Sequence, residues 1–208
     1  MRQERPLIAV LDYGIGNLRS AQKGLERVGA DARLTADRSI IDSAAAVVLP
    51  GVGAFGRCME ALRASGLEPA ALDAVASGRP FLGICVGMQL LFDRSDEDPD
   101  ARGLGVLPGA IHLLPEGVKR PQMQWNVLDV VKPTPMLDGL EDKAWVYFVH
   151  SYAPAPDDSE VVVATCEYGG TVVAAVERDN VFATQFHPEK SSTAGLRLLS
   201  NFVELARG

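Results

Sequence analysis

From Leu7 to Phe92 the sequence alternates short apolar runs with stretches of helical periodicity, and this alternation is its strongest constraint on fold. LIAVLDYG reads as a buried strand. NLRSAQKGLERVG follows, with Leu18, Ala21, Leu25 and Val28 on one helical stripe and Gly29 as a stop signal. ADARLT and AAAVVLPG read as two more strands, AFGRCMEALRAS and LEPAALDAVASG as helices. RPFLGI is a further strand, and GMQLLF starts a helix. Strand–helix alternation predicts a mostly parallel sheet covered on both faces. Ligand sites in such sheets lie at the carboxyl ends of the strands.

RSDEDPDARG breaks the pattern; acidic, with Pro and Gly, it reads as a solvated loop. Beyond it the chain is β-rich. WVYFVHSY, EVVVATCEYGG, TVVAAVERDN and VFATQFHPE read as strands, separated by turn signals such as Gly169-Gly170 and Asp179-Asn180. In STAGLRLLSNFVELARG, Leu196, Leu199, Phe202 and Val203 mark an amphipathic helix. With no repeat or low-complexity linker, residues 1–208 are expected to form one α/β domain. Its central sheet is mixed and mostly parallel, with helices on both faces and antiparallel strands added in the second half.

Charge and cysteine usage exclude several classes. Twenty Lys and Arg stand against 27 Asp and Glu, a net charge of −7, which argues against a nucleic-acid partner. No apolar run approaches the roughly 20 residues that span a bilayer. MRQERPLIAVLDYG enters a strand directly, without the pattern of a signal peptide. Cys58, Cys85 and Cys166 are odd in number and form no CxxC, so neither a disulfide framework nor a metal site is indicated. Reduced thiols, a cytoplasmic location and no cofactor are the expectations.

Residues 83–89, GICVGMQ, carry the chemistry. A cysteine between two glycines at a strand-to-helix junction fits a nucleophile elbow, where a sharp turn leaves no room for side chains two residues away. The positive end of the following helix favours a thiolate. A buried cysteine in a close helix–strand contact would account for the glycines equally well. A nucleophilic thiolate needs a base, and His187 in TQFHPEKSS offers one. Glu189, two residues on, shares its face in extended chain and can orient the imidazole. Cys85, His187 and Glu189 would then form a triad. The glycine-rich end of VVLPGVGAFG offers backbone N–H groups of Gly51, Val52 and Gly53 for an oxyanion, and the N–H of Val86 is a second donor. A tight turn alone also explains these glycines.

LPGVGAF, GICVGMQLLF and ATQFHPEKS, in this order, resemble the class I (triad) glutamine amidotransferases over almost the whole chain. The resemblance implies a γ-glutamyl thioester at Cys85, with His187 as general acid/base and Glu189 as its orienting group. It implies that Gln89 and the backbone around Val86, Ser151 and Tyr152 grip glutamine, and that Gly51, Val52 and Gly53 supply the oxyanion loop. LDYGIGNLRS, PQMQWN, YFVHSY and EKSSTAGLRLLSNF are similar to the glutaminase subunits of imidazole glycerol phosphate synthase. That implies a heterodimer with a (βα)8-barrel cyclase that uses the ammonia in histidine biosynthesis, and a glutaminase nearly idle until the cyclase binds its own ligand. Asn17, Gln124, Trp125, Asn126, Tyr147 and Lys190 would face the cyclase. One segment departs: where that group usually reads PHMGWN, this chain has Gln122 and Gln124. A glutamine at 124 forbids easy positive φ if the segment is a loop.

Four other readings compete. DYGIGNLRS follows a strand as a dinucleotide-binding loop would, but lacks the third glycine and an acidic ribose ligand. A glutaminase feeding pyridoxal phosphate or anthranilate synthesis would keep the triad without the cyclase-facing segments. A γ-glutamyl hydrolase would share the chemistry without needing a partner. A silent binding module would have no need of an elbow cysteine.

Overall fold

A computed structural model describes residues 5–141 and 143–208. In chain order the elements are β1 (Leu7–Leu11), α1 (Leu18–Arg27), β2 (Asp31–Thr35), α2 (Arg38–Ser43), β3 (Ala46–Gly51), α3 (Phe55–Ala64) and α4 (Leu67–Ala76). Then come β4 (Phe81–Cys85), α5 (Val86–Gln89), β5 (Phe92–Ser95), β6 (Asp98–Arg102), β7 (Leu107–Leu113), β8 (Gln122–Val127) and β9 (Asp129–Val130). The chain ends with β10 (Trp145–His150), β11 (Tyr152–Pro156), β12 (Val162–Glu167), β13 (Thr171–Arg178), β14 (Val181–Thr184) and α6 (Ser192–Leu205).

Eight strands form the central sheet in the order β2-β1-β3-β4-β14-β13-β12-β9. The pairings from β2 through to β14 are parallel, and those among β14, β13, β12 and β9 are antiparallel. β3, β4 and β14 are buried at every residue. Their continuous apolar runs follow from having both faces covered. In α1, Ala21 and Leu25 are buried, and α6 buries Leu198, Leu199, Phe202 and Val203. The expected mixed α/β sheet with late antiparallel strands is therefore observed. No helix among the described residues is long and apolar enough to cross a membrane.

Four local expectations are corrected. RSDEDPDARG is not a free loop: β5 and β6 pair as a hairpin, and Glu97 between them accepts the Phe55 N–H at 2.8 Å. GMQLLF supports only the single helical turn α5. Phe92 is then drawn into β5, which pairs in parallel with β7. WVYFVHSY does not join the main sheet. β10 pairs with β8 in a separate two-stranded ribbon, and β11 joins the sheet β11-β7-β5-β6. PQMQWN lies in β8 rather than in a loop, and Gln124 pairs with Phe148 in extended backbone without positive φ. The glutamine therefore needs no conformation that glycine alone would allow.

Candidate active site

β3, β4 and β14 are parallel neighbours, so their carboxyl ends meet at one edge. Gly51 pairs with Cys85, and Thr184 with Ile84. The chain leaves these ends as the Gly51–Val52–Gly53 loop, the Cys85 elbow and the Gln185–Phe186–His187 run.

Cys85 has φ +55° and ψ −114°, a strained conformation for a residue with a Cβ. The flanking glycines are explained by contact. A Cβ on Gly87 would lie 1.8 Å from the Leu49 carbonyl oxygen. One on Gly83 would lie 3.1 Å from each of Ala183 Cβ, the Gly87 oxygen and Leu91 Cδ1. The turn thus presses residue 87 into β3 and leaves the sulfur at the rim of a cavity of about 240 Å³. Cys58 and Cys166 are buried elsewhere, and burial pushes both thiols up to about 11.

His187 is fixed by its neighbours. Its N–H donates to the Tyr147 carbonyl at 3.0 Å. Pro188 opens a single 3-10 turn, Pro188–Lys190, that brings Glu189 back beside it. Nδ1 lies 2.8 Å from Glu189 Oε1, with both side chains only 2% exposed. That contact commits Nδ1–H as donor and leaves Nε2 as the free nitrogen, buried and without a hydrogen-bond partner. Burial pulls the His187 pKa down, but Cys85 and Glu189 together outweigh it and lift it from 6.5 to about 9. His150, the other histidine lining the cavity, is pushed down by burial to about 4 and stays neutral. Its Nδ1–H donates to the Tyr152 carbonyl at 2.9 Å. Two histidines in one site are thus held in opposite charge states, the arrangement from which acid/base assignments are read.

The raised His187 pKa has a definite linkage. The folded state holds this proton more tightly than the unfolded chain. The resulting stabilisation is fully present below pH 6.5 and is lost as pH rises through about 9. In Cys85→Ala the imidazole loses one of its two stabilising partners, and its pKa, followed by NMR of the ring protons, is expected to fall. An unchanged titration would show that the thiol is not its partner.

The PGVG loop closes the site from the β3 side. Val52 and Gly53 line the cavity; Gly51 sits behind them, where a Cβ would meet the Gly87 nitrogen at 2.8 Å and the Tyr13 hydroxyl at 2.9 Å. Two buried side chains draw back the loop carbonyls. Tyr13 donates to the Pro50 oxygen at 2.6 Å, and the Cys58 thiol donates to the Val52 oxygen at 3.3 Å. In trans peptides the N–H opposes the carbonyl, so the Gly51 and Gly53 N–H groups point away from that buried side.

Val52, Gly53, Cys85, Val86, Gln89, Ser151, Tyr152 and His187 share the cavity wall. Glu189 stands behind His187. Sequence reasoning missed Glu97, Pro121, Val149 and His150, which also line the cavity. It missed Gln185 too, buried beside Cys85. Glu97 was hidden in a stretch that composition marks as solvated. Gln185 carried a usable signal, a lone amide within an otherwise apolar strand run, because such a residue is buried only when its hydrogen bonds are met.

The profile of the family described as glutamine amidotransferase class-I matches residues 9–205. The chain belongs to this class-I glutamine amidotransferase family. The amidotransferase is 51% identical to the imidazole glycerol phosphate synthase subunit HisH of Syntrophotalea carbinolica, over 96% of this chain and 100% of that protein. It is 49% identical to the subunit of the same name from Methanothermobacter thermautotrophicus, over 97% of this chain and 100% of that one. At this identity and coverage it belongs with the HisH group inside the class. The structure of PurLQS from Thermotoga maritima superposes with a TM-score of 0.78 at 22% identity, covering 97% of this chain and 99% of that one, which bears on the fold alone.

Next to the amidotransferase cavity, the β8–β10 ribbon turns an apolar face outward. Antiparallel register pairs Met123 with Val149, Trp125 with Tyr147 and Val127 with Trp145, all on one side. Met123, Trp125 and Trp145 are exposed. Trp125 and Tyr147 meet edge to face at 6.0 Å, and Lys190 Nζ lies 6.0 Å from the Tyr147 ring centroid. Of the other residues expected to face a cyclase, Gln124 is exposed on the opposite face. Asn126 is tied to the Glu167 carbonyl at 2.9 Å, and Asn17 stands at the start of α1. Val149 reaches the cavity, and its carbonyl lies 4.0 Å from Cys85 Sγ, so the strand that carries half of the apolar face, β10, also borders the cysteine. The ribbon is also bound to the histidine turn. Ser191 Oγ accepts the Tyr147 N–H at 2.9 Å and donates to the His187 carbonyl at 2.6 Å.

Proposed function

We propose that this chain is the glutaminase subunit of an imidazole glycerol phosphate synthase, hydrolysing glutamine at Cys85 and passing the ammonia to a cyclase. The observation that carries this reading is the meeting of a strained, cavity-facing cysteine with a buried His187–Glu189 pair, in a chain of the HisH group.

The Cys85 thiolate attacks the glutamine Cδ, and the carbonyl electrons move to oxygen. The Val86 N–H at the elbow and the Gly53 N–H, on the loop held by Tyr13 and Cys58, are the donors for that oxyanion. His187, charged as imidazolium, gives its Nε2 proton to the leaving nitrogen as the C–N bond breaks, releasing ammonia and leaving a thioester. The neutral imidazole then takes a proton from water, whose oxygen attacks the thioester. Glutamate leaves, and the thiolate–imidazolium pair is restored. Glu189 holds the ring throughout. Glu97 is the one carboxylate on the cavity wall among the described residues and suits the substrate ammonium; Gln89, Ser151 and Tyr152 hold the rest of the amino acid.

Ammonia released into water is protonated and lost, so the product needs a dry exit. The ribbon face of Met123, Trp125, Trp145 and Tyr147, with Lys190 at its side, is the surface for a (βα)8-barrel cyclase of histidine biosynthesis. The four residues form a continuous apolar face of the kind that marks an interaction site. The whole chain, 1–208, acts as one glutaminase domain in the cytoplasm. The test is a paired substitution on that face. Trp125→Lys with Trp145→Lys is expected to abolish co-elution with the cyclase and its stimulation of glutamate release, while thermal unfolding stays near native because both rings are exposed. Retained co-elution would refute this placing of the interface.

A further inference from the structure

Parallel register sets residue 185 beside residue 85, since Thr184 pairs with Ile84. The residue there is a glutamine with no solvent exposure, deep between β14 and the elbow. Burying a carboxamide is costly unless both its ends are bonded. Its oxygen accepts from Gln89 Nε2 at 3.0 Å, and its nitrogen lies 3.7 Å from Cys85 Sγ. The backbone N–H of Gln185 is spent separately, on the Ala174 carbonyl at 2.8 Å.

The orientation of this amide is dictated by its neighbours. The Gln89 carboxamide group that faces the Tyr152 carbonyl at 3.0 Å must be the nitrogen, because a carbonyl only accepts. That same nitrogen faces Gln185, so the Gln185 atom opposite must be the oxygen. The Gln185 nitrogen is left pointing at sulfur. A chain of donors therefore runs from the elbow to the substrate wall, Gln185 to Cys85 and Gln89 to Gln185 and Tyr152. Both Gln89 hydrogens are used within the protein, and Gln89 presents only its oxygen to the cavity.

We propose that Gln185 is a positioning residue for the nucleophile, donating an N–H to the Cys85 sulfur through its carboxamide nitrogen and fixing Gln89 through its oxygen. The inference rests on the reading of Cys85 as nucleophile. The amide has no titrating proton and takes no part in acid/base transfer, which belongs to His187. It stabilises the anionic sulfur over the thiol and holds one sulfur rotamer. Through Gln89 it couples that sulfur to the part of the wall that receives glutamine. Hydrogen bonds to sulfur are long, and a donor to a charged acceptor is stronger than one to a neutral group.

Two near-isosteric variants separate the roles. Gln185→Met removes both bonds; Gln185→Glu keeps an oxygen for Gln89 but replaces the donor with a carboxylate beside the sulfur. The readout is the pH profile of Cys85 alkylation by iodoacetamide, followed by mass spectrometry of the Cys85 peptide, with glutaminase kcat and KM measured in the presence of the cyclase. The profile is expected to move to higher pH in both variants, further in Gln185→Glu. The kcat is expected to fall about 10- to 100-fold, the loss of one hydrogen bond to a charged group. KM is expected to rise in Gln185→Met and stay near native in Gln185→Glu. A folded variant whose alkylation profile matches the native one overturns the role of Gln185 while leaving Cys85 in place. Native enzyme that keeps its glutaminase activity after full alkylation of Cys85 overturns both readings.

Discussion

Cys85→Ala is expected to lose glutamine hydrolysis by roughly 10⁴- to 10⁶-fold, the scale seen when a covalent nucleophile is removed from an assembled site. The size follows from the division of labour. His187 and Glu189 have no bond to make without a nucleophile, so the oxyanion donors and the glutamine-holding groups alone remain. Only a sulfur at the cavity rim is removed, and no large void opens in the core, so the fold should survive. The variant should also resist labelling by a glutamine-like diazoketone, which in the native protein should add its mass to the Cys85 peptide. Labelling at Cys58 or Cys166 instead would run against the geometry, since burial holds both thiols protonated at neutral pH.

Gly87→Ala should be nearly as damaging, by a different route. The added methyl would sit 1.8 Å from the Leu49 carbonyl oxygen and 2.8 Å from its carbon. These are main-chain atoms of a central, fully buried strand, and no rotamer change relieves the clash. Ordinary overpacking costs about 1–3 kcal/mol, and a clash against backbone belongs at or above the top of that range. The elbow must move away from β3, taking the sulfur and the Val86 N–H with it. Activity and denaturant stability should therefore fall together. Gly83→Ala is the matched comparison. Its closest contacts, all at 3.1 Å, include the Ala183 methyl and the end of Leu91, which can give by a few tenths of an ångström. Equal loss in the two variants would mean that the glycines act through backbone freedom rather than through close approach.

The contrast between these glycines separates what the local sequence encodes from what only the assembled fold supplies. The GICVG spacing points to a tight turn or a close helix–strand contact, and the fold supplies both at this elbow. The apolar runs of β1, β3 and β4, alternating with helical stretches, announce a parallel sheet, because strands covered on both faces are continuously apolar; that β14 joins it in parallel to β4 is not encoded locally. The motifs and their chain order put Cys85, His187 and Glu189 forward together; the fold sets Cys85 and His187 on one cavity wall with Glu189 bonded to the imidazole. What was not legible depended on register and long-range pairing. Gln185 borders Cys85 only because β14 lies next to β4 in parallel register, which no local pattern encodes. The acidic stretch reads as solvent-exposed by composition, yet Glu97 is tied to the first N–H of α3 and faces the cavity. WVYFVHSY reads correctly as strand, but not as half of a separate ribbon, since the pairing with PQMQWN is a tertiary choice.

The most direct measurement follows the amide nitrogen. The chain is mixed with its cyclase and the cyclase's nucleotide substrate, given glutamine labelled with ¹⁵N in the amide, and supplied with excess unlabelled ammonium. The imidazole product is then read by mass spectrometry. Ammonia made at Cys85 and passed across the ribbon face should appear in the imidazole ring undiluted, one ¹⁵N per glutamate released. A product carrying mostly unlabelled nitrogen, or glutamate release indifferent to the cyclase, would contradict the assignment of this chain as a channelling glutaminase subunit.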